Sequence, residues 1–261
     1  KIIFITGGAG LLGKNHAEAV AELGAIPILF DKNYSKARVV SNQIKKKYNT
    51  NCESIKGDIT SINSVKIAVK RVIKKYKKID VLINNAANDS VVTNNNQAYS
   101  LEKLSLLKWK QDISVGLTGA FICTQIIGSI MAKQGSGVIV NVSSDLGIIA
   151  PDQRIYITNH KKKNHFTKPI SYSVVKHGII GLSKYVATYW GDRGVRSNTI
   201  CPGGVYNNQP KNFVKKVKKL IPLNRMAKPD EYKSAIQFLC SDASAYMNGS
   251  YLILDGGRSI W

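Results

Sequence analysis

The sequence predicts an α/β fold: a single-domain, doubly wound parallel sheet of about seven strands with helices on both faces. Short apolar runs rich in β-branched residues alternate with longer amphipathic segments almost to the end of the chain. The apolar runs are nearly continuous, which is typical of strands covered by helices on both faces. No low-complexity linker, repeat or abrupt change of composition divides the 261 residues. One domain spanning 1–261 is therefore expected.

The strands are predicted at seven apolar runs. In chain order they read KIIFIT (1–6), IPILFD (26–31), SIKGDI (54–59), DVLINNA (80–86), GVIVNVSS (137–144), RSNTICP (196–202) and SYLILDGG (250–257). The helices are predicted in the amphipathic segments between them, at 11–23, 35–48, 61–77, 101–133, 172–191 and 229–241. Right-handed crossovers between such strand–helix units produce a fold that binds ligands at the carboxyl ends of its strands.

Charge is the unusual feature of the composition. The chain has 38 Lys and Arg against 16 Asp and Glu, a formal net charge of +22. A field of that sign attracts anions such as nucleic acid, acidic lipid or a phosphorylated small molecule. The lysines are spread over many segments, however, as they are on solvated helix faces. We therefore expect no nucleic-acid partner and a small, anionic substrate.

The cysteines and the hydropathy pattern indicate a cytoplasmic protein. Cys52, Cys123, Cys201 and Cys240 are scattered, with no CxxC pair and no metal-ligand spacing, so no metal site is predicted. No secretory leader is visible, and no apolar run is judged long enough to span a bilayer. No association with a membrane is expected.

The segment TGGAGLLG (6–13) closes the first strand and opens the first helix. Gly7, Gly10 and Gly13 let the chain turn tightly, approach a pyrophosphate and pack the helix on the sheet, while the helix N-terminus faces the phosphates. This is the dinucleotide-binding turn of a Rossmann fold. The sequence thus predicts a nicotinamide or similar dinucleotide as cofactor.

The end of the second strand bears on the choice of cofactor. Asp31 lies about twenty residues past the glycines, where a carboxylate can bind the adenosine ribose hydroxyls and would repel a 2′-phosphate. Lys32 and Lys14 can instead bind that phosphate. NAD is favoured, and NADP stays an alternative.

The segment SYSVVKHG (171–178) places Tyr172 and Lys176 four positions apart at the start of a predicted helix. Side chains at that spacing share a helix face. A nearby ammonium favours the phenolate and lowers a tyrosine pKa that is about 10 in model peptides. Tyr172 can then exchange a proton near neutral pH, although the same pair occurs on many solvated helices.

Seven short motifs occur in the order found in the short-chain dehydrogenase/reductase family, which the chain resembles over essentially its whole length. They are TGGAGLLG, GDIT (57–60), NNAA (84–87), NVSS (141–144), YSVVK (172–176), CPGG (201–204) and LDGG (254–257). The resemblance implies that Tyr172 is the acid/base, that Lys176 lowers its pKa and holds the nicotinamide ribose, and that Ser144 binds the substrate oxygen. The implied cofactor-binding residues are Gly7, Gly10, Leu12, Gly13, Asp31, Asp58, Ile59, Asn84, Asn85, Ala86, Tyr172, Lys176, Pro202, Gly203 and Val205.

The sequence departs from the family pattern in three places, two of which concern glycines. The glycines follow the TGxxGxxG spacing of the extended branch of the family, whereas the length and the YSVVK context resemble the compact branch. Gly116, in SVGLTGAF, stands where the compact branch usually carries an asparagine that is thought to hold a water in a proton relay. Gly116 has no side chain for that role and is not assigned one.

A third departure is an insertion. Ser144 and Tyr172 are 28 positions apart, roughly twice the interval usual in the family, so a basic loop near 151–169 must lie beside the active site. Several of its side chains can bind a phosphate or carboxylate, although a solvated loop is an equal alternative. They are Arg154, His160, Lys161, Lys162, Lys163, His165 and Lys168. A mobile substrate lid is implied near 206–228, with a lysine-rich helix facing water.

The resemblance implies an oxidoreductase that interconverts a secondary alcohol and a ketone by hydride transfer with NAD(H). The sequence resembles members from bacterial surface-polysaccharide or sialic-acid-like sugar pathways, which implies a sugar phosphate or nucleotide sugar as substrate. Two alternatives stay open: an NAD-retaining sugar epimerase or dehydratase, and a weakly catalytic cofactor-sensing module. A homo-oligomer, dimer or tetramer, is implied through the helices near 101–133 and 172–191.

Overall fold

The computed structural model describes residues 1–88, 100–157 and 167–261. In that part of the chain seven parallel strands form one sheet with the order β3-β2-β1-β4-β5-β6-β7. The strands are β1 (Ile2–Thr6), β2 (Ile26–Asp31), β3 (Glu53–Lys56), β4 (Val81–Asn84), β5 (Gly137–Val142), β6 (Val195–Pro202) and β7 (Tyr251–Leu254). The predicted fold class is confirmed.

Helices cover both faces of this sheet. They are α1 (Leu11–Glu22), α2 (Tyr34–Tyr48), α3 (Ile62–Tyr76), α4 (Leu106–Gln134), α5 (Ile170–Tyr189), α6 (Lys211–Lys218) and α7 (Lys233–Cys240). The strand order reverses at β1, which pairs with β2 on one side and with β4 on the other. A doubly wound sheet opens a crevice for ligands at such a reversal.

The side chains of β1 show how the sheet separates two cores. Ile3 and Ile5 are buried with α1, α2 and α7, whereas Ile2 and Phe4 are buried with α3, α4 and α5. Successive side chains of a strand point to opposite faces. A strand buried on both faces must therefore be apolar at every position, as IIFIT is from Ile2 to Ile5.

Helix α4 differs from the sequence expectation. Its 29 residues are long and apolar enough, by length and composition, to cross a membrane, so the expectation that no run reached that length was wrong. In the fold its buried face packs on the sheet, with Ile127 and Met131 fully buried beside β4 and β5. Two π-helical segments, Ser114–Thr118 and Thr124–Gly128, interrupt it. A buried core helix meets the same length and hydropathy criteria as a membrane span.

All four cysteines are free and buried. Burial raises the pKa of the Cys52 and Cys201 thiols to about 11, and that of the Cys123 and Cys240 thiols to about 12. The reactive form of a cysteine is the thiolate. None of the four is therefore poised as a nucleophile near neutral pH.

Candidate active site

The turn between β1 and α1 is held tightly against the end of β4. Gly7 has φ +63°, and a Cβ there would lie 2.9 Å from the Cα of Ala86. A Cβ on Gly13 would lie 2.2 Å from the Gly7 carbonyl oxygen. The Asn85 amide donates to the carbonyls of Thr6 and Gly7, at 3.0 and 3.1 Å. Because glycines leave room for this close approach, the turn forms a backbone-lined cradle that fits the pyrophosphate of a dinucleotide.

Asp31 is fixed at the carboxyl end of β2. Its Oδ2 accepts a hydrogen bond from the Ala9 N–H at 2.9 Å, and its Oδ1 accepts one from the Asn33 N–H at 2.8 Å. Each carboxylate oxygen can accept a second hydrogen bond. The carboxylate is therefore held beside the glycine turn and can still accept from a ribose hydroxyl.

A central cavity of about 490 Å³ opens at the carboxyl ends of the strands. The glycine turn and Asp31 lie at one part of its wall, and the ends of β5 and α5 form another. Of the residues predicted for cofactor or catalysis, its wall includes Gly7, Gly10, Leu12, Asp31, Ile59, Asn85, Ala86, Ser144, Tyr172, Lys176, Pro202, Gly203 and Val205. The structure thus brings most of the predicted site into one cavity.

Three predicted residues do not line this cavity. A Gly13 side chain would collide with the turn, so Gly13 acts through packing. The Asn84 amide donates to Thr124 Oγ1 and Asn141 Oδ1, both at 2.9 Å, and so joins β4 to α4 and β5 in the buried interior. Asp58 pairs with Lys32 at 3.0 Å.

Tyr172 and Lys176 lie one turn apart on α5, as their spacing predicted. The Lys176 ammonium donates to the Val142 carbonyl at 3.0 Å and lies 5.6 Å from the centre of the Tyr172 ring. The Lys176 carbonyl accepts a hydrogen bond from Ser143 at 2.7 Å, which ties α5 to the end of β5. Ser144 follows Ser143 on the cavity wall. The acid/base candidate thus shares the cavity with the serine and the lysine.

A second ammonium, that of Lys168, lies close to the Tyr172 ring. Lys168 Nζ is 3.8 Å from the centre of the Tyr172 ring, and Lys168 also lines the cavity. Its backbone is held by Gln153, which accepts from the Lys168 N–H at 3.0 Å and donates to the Lys168 carbonyl at 3.1 Å. A cation close to an aromatic face is attracted to the ring. Among the basic loop residues that the structure describes, Lys168 lines the cavity and Arg154 does not.

Arg154 is the other basic residue in the described part of the loop. The Arg154 guanidinium contacts Asp152 through two hydrogen bonds of 2.8 Å in an exposed turn. The remaining five positions, His160, Lys161, Lys162, Lys163 and His165, lie outside the described residues.

The predicted lid carries helix α6, which packs on the described part of the loop. Phe213 and Val217 of α6 form an apolar cluster with Ile155, Tyr156 and Met226. The Tyr156 and Phe213 rings lie 5.4 Å apart. Both segments line the central cavity, so the described part of the loop and the lid together form part of its wall.

Gly116 lies in the first π-helical segment of α4, packed against α5. A Cβ at this position would lie 2.5 Å from Val175 Cγ1. A small cavity of about 10 Å³ lies beside it, bordered by Asp112, Tyr172 and Lys176 among others. Asp112 Oδ2 accepts a hydrogen bond from Ser171 at 2.7 Å. The space of the usual asparagine is therefore taken by Val175.

Sequence reasoning missed a buried ion pair on the cavity wall. Arg258 Nη1 lies 2.8 Å from Asp145 Oδ2, and their side chains are 7% and 3% exposed. Asp145 follows the NVSS motif and Arg258 follows LDGG, so each stands next to a recognised motif. Their position next to these motifs was the sequence signal by which the two residues could have been proposed as part of the site.

Comparison with known proteins gives consistent matches over the whole chain. A sequence profile for the family described as enoyl-(acyl carrier protein) reductase matches residues 8–259. The D-threitol dehydrogenase of Mycolicibacterium smegmatis is 33% identical, over 100% of this chain and 93% of that protein. The 3-oxoacyl-[acyl-carrier-protein] reductase FabG of Thermotoga maritima is 32% identical, over 100% and 98% respectively. The crystal structure of a short-chain type dehydrogenase/reductase from Mycobacterium marinum superposes with a TM-score of 0.84 at 26% identity, over 99% of this chain and 95% of that one.

Proposed function

The chain belongs to the short-chain dehydrogenase/reductase family and is an oxidoreductase acting on CH–OH groups, and we propose that it uses NAD to interconvert a secondary alcohol and a ketone on an anionic sugar. One observation carries this proposal. Tyr172, Lys176 and Ser144 line the same cavity as the glycine turn and Asp31. An acid/base group is thereby placed within one crevice with a cradle for a dinucleotide.

Tyr172, Lys176 and Ser144 have different roles in the proposed proton transfer. When bound, the nicotinamide supplies the acceptor or donor of a hydride. Tyr172 takes the proton of the substrate hydroxyl during oxidation and returns one during reduction. The Lys176 ammonium, fixed on the Val142 carbonyl, favours the charged phenolate that accepts this proton. When the substrate binds, Ser144 Oγ turns its proton from Asp145 Oδ1 to the reacting oxygen and so orients that oxygen toward the phenol.

We assign NAD as the cofactor because of the charges at the end of β2. The Asp31 carboxylate, held beside the glycine turn, is proposed to contact the adenosine ribose and to repel an added phosphate. Lys32, which otherwise can bind that phosphate, has its ammonium 3.0 Å from Asp58 Oδ2. Hydrogen bonds from Thr60 and Lys32 outweigh the opposing effect of burial and lower the pKa of Asp58. At neutral pH the ionised Asp58 carboxylate therefore balances the Lys32 charge, which weakens the attraction of Lys32 for a 2′-phosphate. Asp58 itself is proposed to contact the adenine.

We assign an anionic substrate because of Lys168. Its ammonium lies over the ring of the acid/base and lines the cavity, so a phosphate or carboxylate bound beside Tyr172 meets a positive charge. A sugar phosphate or nucleotide sugar of surface-polysaccharide or sialic-acid-like metabolism has such a group. The names of the relatives, a polyol dehydrogenase and an acyl reductase, support the class of reaction and not this particular pathway.

The assembly and location are proposals of the same kind. Exposed apolar side chains on α4 and α5, including Phe121, Tyr185 and Tyr189, support a homo-oligomer formed through these helices. The free, buried cysteines support a reducing compartment such as the cytoplasm. We also propose that residues 1–261 form one dinucleotide-binding domain, with the loop near 151–169 and the lid near 206–228 shaping the substrate pocket.

The test is a turnover screen of the purified protein. NAD and NADP are combined in turn with sugar phosphates, nucleotide sugars, polyols and simple alcohols, and the absorbance of the reduced nicotinamide is followed. We expect signal with NAD and an anionic sugar, lost in Tyr172→Phe. Equal turnover of neutral alcohols would contradict the anionic substrate, and tightly retained NAD that never accumulates in reduced form would favour an epimerase or dehydratase.

A further inference from the structure

The ion pair between Asp145 and Arg258 joins distant parts of the chain at the active site. Asp145 lies in a short 3-10 turn directly after β5, and Arg258 lies in the turn that follows β7. Their charged atoms are 2.8 Å apart, and both side chains are almost fully buried. Removing two charges from water is costly, so a buried pair of this kind is weak evidence for a role in stability alone.

Asp145 is connected directly to the serine of the reaction. Ser144 Oγ donates a hydrogen bond to Asp145 Oδ1 at 2.8 Å, and the Leu146 N–H donates to the same oxygen at 2.8 Å. Oδ2 accepts from Arg258. A carboxylate offers about four acceptor positions. Oδ1 is thus filled by two donors, while Oδ2 keeps the capacity to accept one more hydrogen bond.

Asp145 and Arg258 both line the central cavity together with Ser144 and Tyr172. Their residue exposures of 2% and 7% are similar to the 6% of Ser144 and the 5% of Lys176. The ion pair is therefore no more deeply buried than residues that we propose to take part in the reaction. The cavity wall beside Ser144 therefore carries a carboxylate and a guanidinium.

We propose that Asp145 and Arg258 form a subsite for a hydroxyl on the carbon next to the reacting carbinol, so that the substrate is a vicinal diol. This inference rests on the proposed function, because it uses Ser144 as the group that binds the reacting oxygen. An oxygen bound to Ser144 is one hydrogen bond from the serine, which is itself one hydrogen bond from Asp145. A hydroxyl one carbon–carbon bond further along the substrate can then reach the ion pair.

The chemistry of the pair matches a hydroxyl group. A hydroxyl both donates and accepts, so it can donate to Asp145 Oδ2 while it accepts from the Arg258 guanidinium. A methylene at the same place provides neither hydrogen bond and removes water from two charged groups. Hydrogen bonds to charged groups change affinity by about 10- to 100-fold. The site is therefore selective for polyhydroxylated substrates over alcohols with an apolar neighbour.

The test uses propylene glycol, a vicinal diol, and isopropanol, its counterpart without the second hydroxyl. Their dissociation constants are measured by nicotinamide fluorescence on the NADH complex of Tyr172→Phe, in which turnover does not interfere. We expect propylene glycol to bind about 10- to 100-fold more tightly than isopropanol. In Asp145→Asn/Arg258→Met, in the same Tyr172→Phe background, the two ligands should bind about equally.

The variants separate this subsite from a structural role. Asparagine keeps an oxygen for Ser144 and Leu146 but replaces the free acceptor by a donor, and methionine removes the charge that would otherwise be left unpaired. The matched control is Glu231→Gln/Arg225→Met, which removes an exposed pair of the same chemistry and 2.6 Å length outside the central cavity. Its preference for the diol should be unchanged.

If propylene glycol and isopropanol bind equally to the Tyr172→Phe protein with Asp145 and Arg258 intact, the proposed subsite is overturned by that result alone. A diol preference that survives in a folded Asp145→Asn/Arg258→Met protein would also overturn it. Failure of the proposed function looks different: the wild-type enzyme would then show no Tyr172-dependent turnover of any alcohol, whatever the binding preference.

Discussion

The Lys168 ammonium lies 3.8 Å from the centre of the Tyr172 ring, closer than the Lys176 ammonium at 5.6 Å. The proposed acid/base thus has two lysines near its ring, one from its own helix and one from the inserted loop. Lys176 is tied to the Val142 carbonyl, whereas the Lys168 backbone is held by Gln153. This arrangement assigns different tasks to the two charges.

Replacing Lys168 by methionine should lower kcat/KM for an anionic substrate about tenfold and change it little for a neutral alcohol, because one charged contact to the anion is lost. The measurement is steady-state kinetics with both classes of substrate. Lys184→Met is the matched control, since Lys184 also lies over a tyrosine, Tyr251, at 5.6 Å. An equal loss with both substrates would show that Lys168 does not bind the anion.

Replacing Asp31 by asparagine should shift the ratio of the NADP and NAD dissociation constants toward NADP by about tenfold, because the repulsion of a 2′-phosphate is removed. Cofactor fluorescence titrations measure both constants. Asp242→Asn, at an exposed aspartate paired with Lys1, serves as the control. An unchanged ratio would mean that Asp31 does not select the cofactor.

Alanine substitution should have opposite effects at two helical glycines. Gly116→Ala should lower the free energy of unfolding by about 1–3 kcal/mol, because its Cβ would lie 2.5 Å from Val175 Cγ1. Gly181→Ala should raise it by about 0.5–1 kcal/mol, since a Cβ at this exposed position of α5 meets nothing within 4 Å. Urea unfolding measures both values. The Gly116→Ala loss should be smaller in a Val175→Ala background, and a loss of equal size there would contradict the contact.

His16 should make stability depend on pH. It is fully buried in α1, and neither ring nitrogen has a hydrogen-bond partner among the described residues. Burial lowers its pKa to about 3, well below the unfolded value of 6.5. Between these values the unfolded state binds more protons, so the contribution of neutral His16 is complete above pH 6.5 and is lost as the pH falls.

His16→Leu should therefore remove about 2 kcal/mol of the stability difference between pH 5 and pH 7.5. Urea unfolding at the two pH values measures it. His177→Gln, at an exposed histidine of α5, is the control and should leave the difference unchanged. An unaltered pH dependence in His16→Leu would show that folding does not shift the pKa of His16.

The parts of the site that follow from local periodicity were predictable from sequence. The four-residue spacing of Tyr172 and Lys176 sets their common helix face, and the glycines after β1 set the turn. Alternation along β4 carries Asn84 into the interior and leaves Asn85 to hold the turn. The different roles of Asn84 and Asn85 thus also follow from local geometry, although the NNAA motif alone did not predict them.

Contacts between distant segments were not predictable. Asp145 and Arg258 are 113 residues apart, and only the closing of β5 and β7 on either side of β6 brings them together. The contact of Val175 with Gly116 depends on how closely α4 and α5 approach. The position of Lys168 depends on an irregular segment held by Gln153, for which no periodic pattern exists.

The most direct test of the central claim is deuterium transfer from the carbinol carbon of a secondary alcohol substrate to the nicotinamide ring of NAD. Wild type and Tyr172→Phe are compared, with NAD binding measured in the same samples. We predict transfer by the wild-type enzyme and a rate at least about 100-fold lower in Tyr172→Phe, with unchanged affinity for NAD. Transfer at equal rates in both proteins, or no transfer by wild type with NAD bound, would contradict the assignment of Tyr172 as the acid/base of a hydride-transfer enzyme.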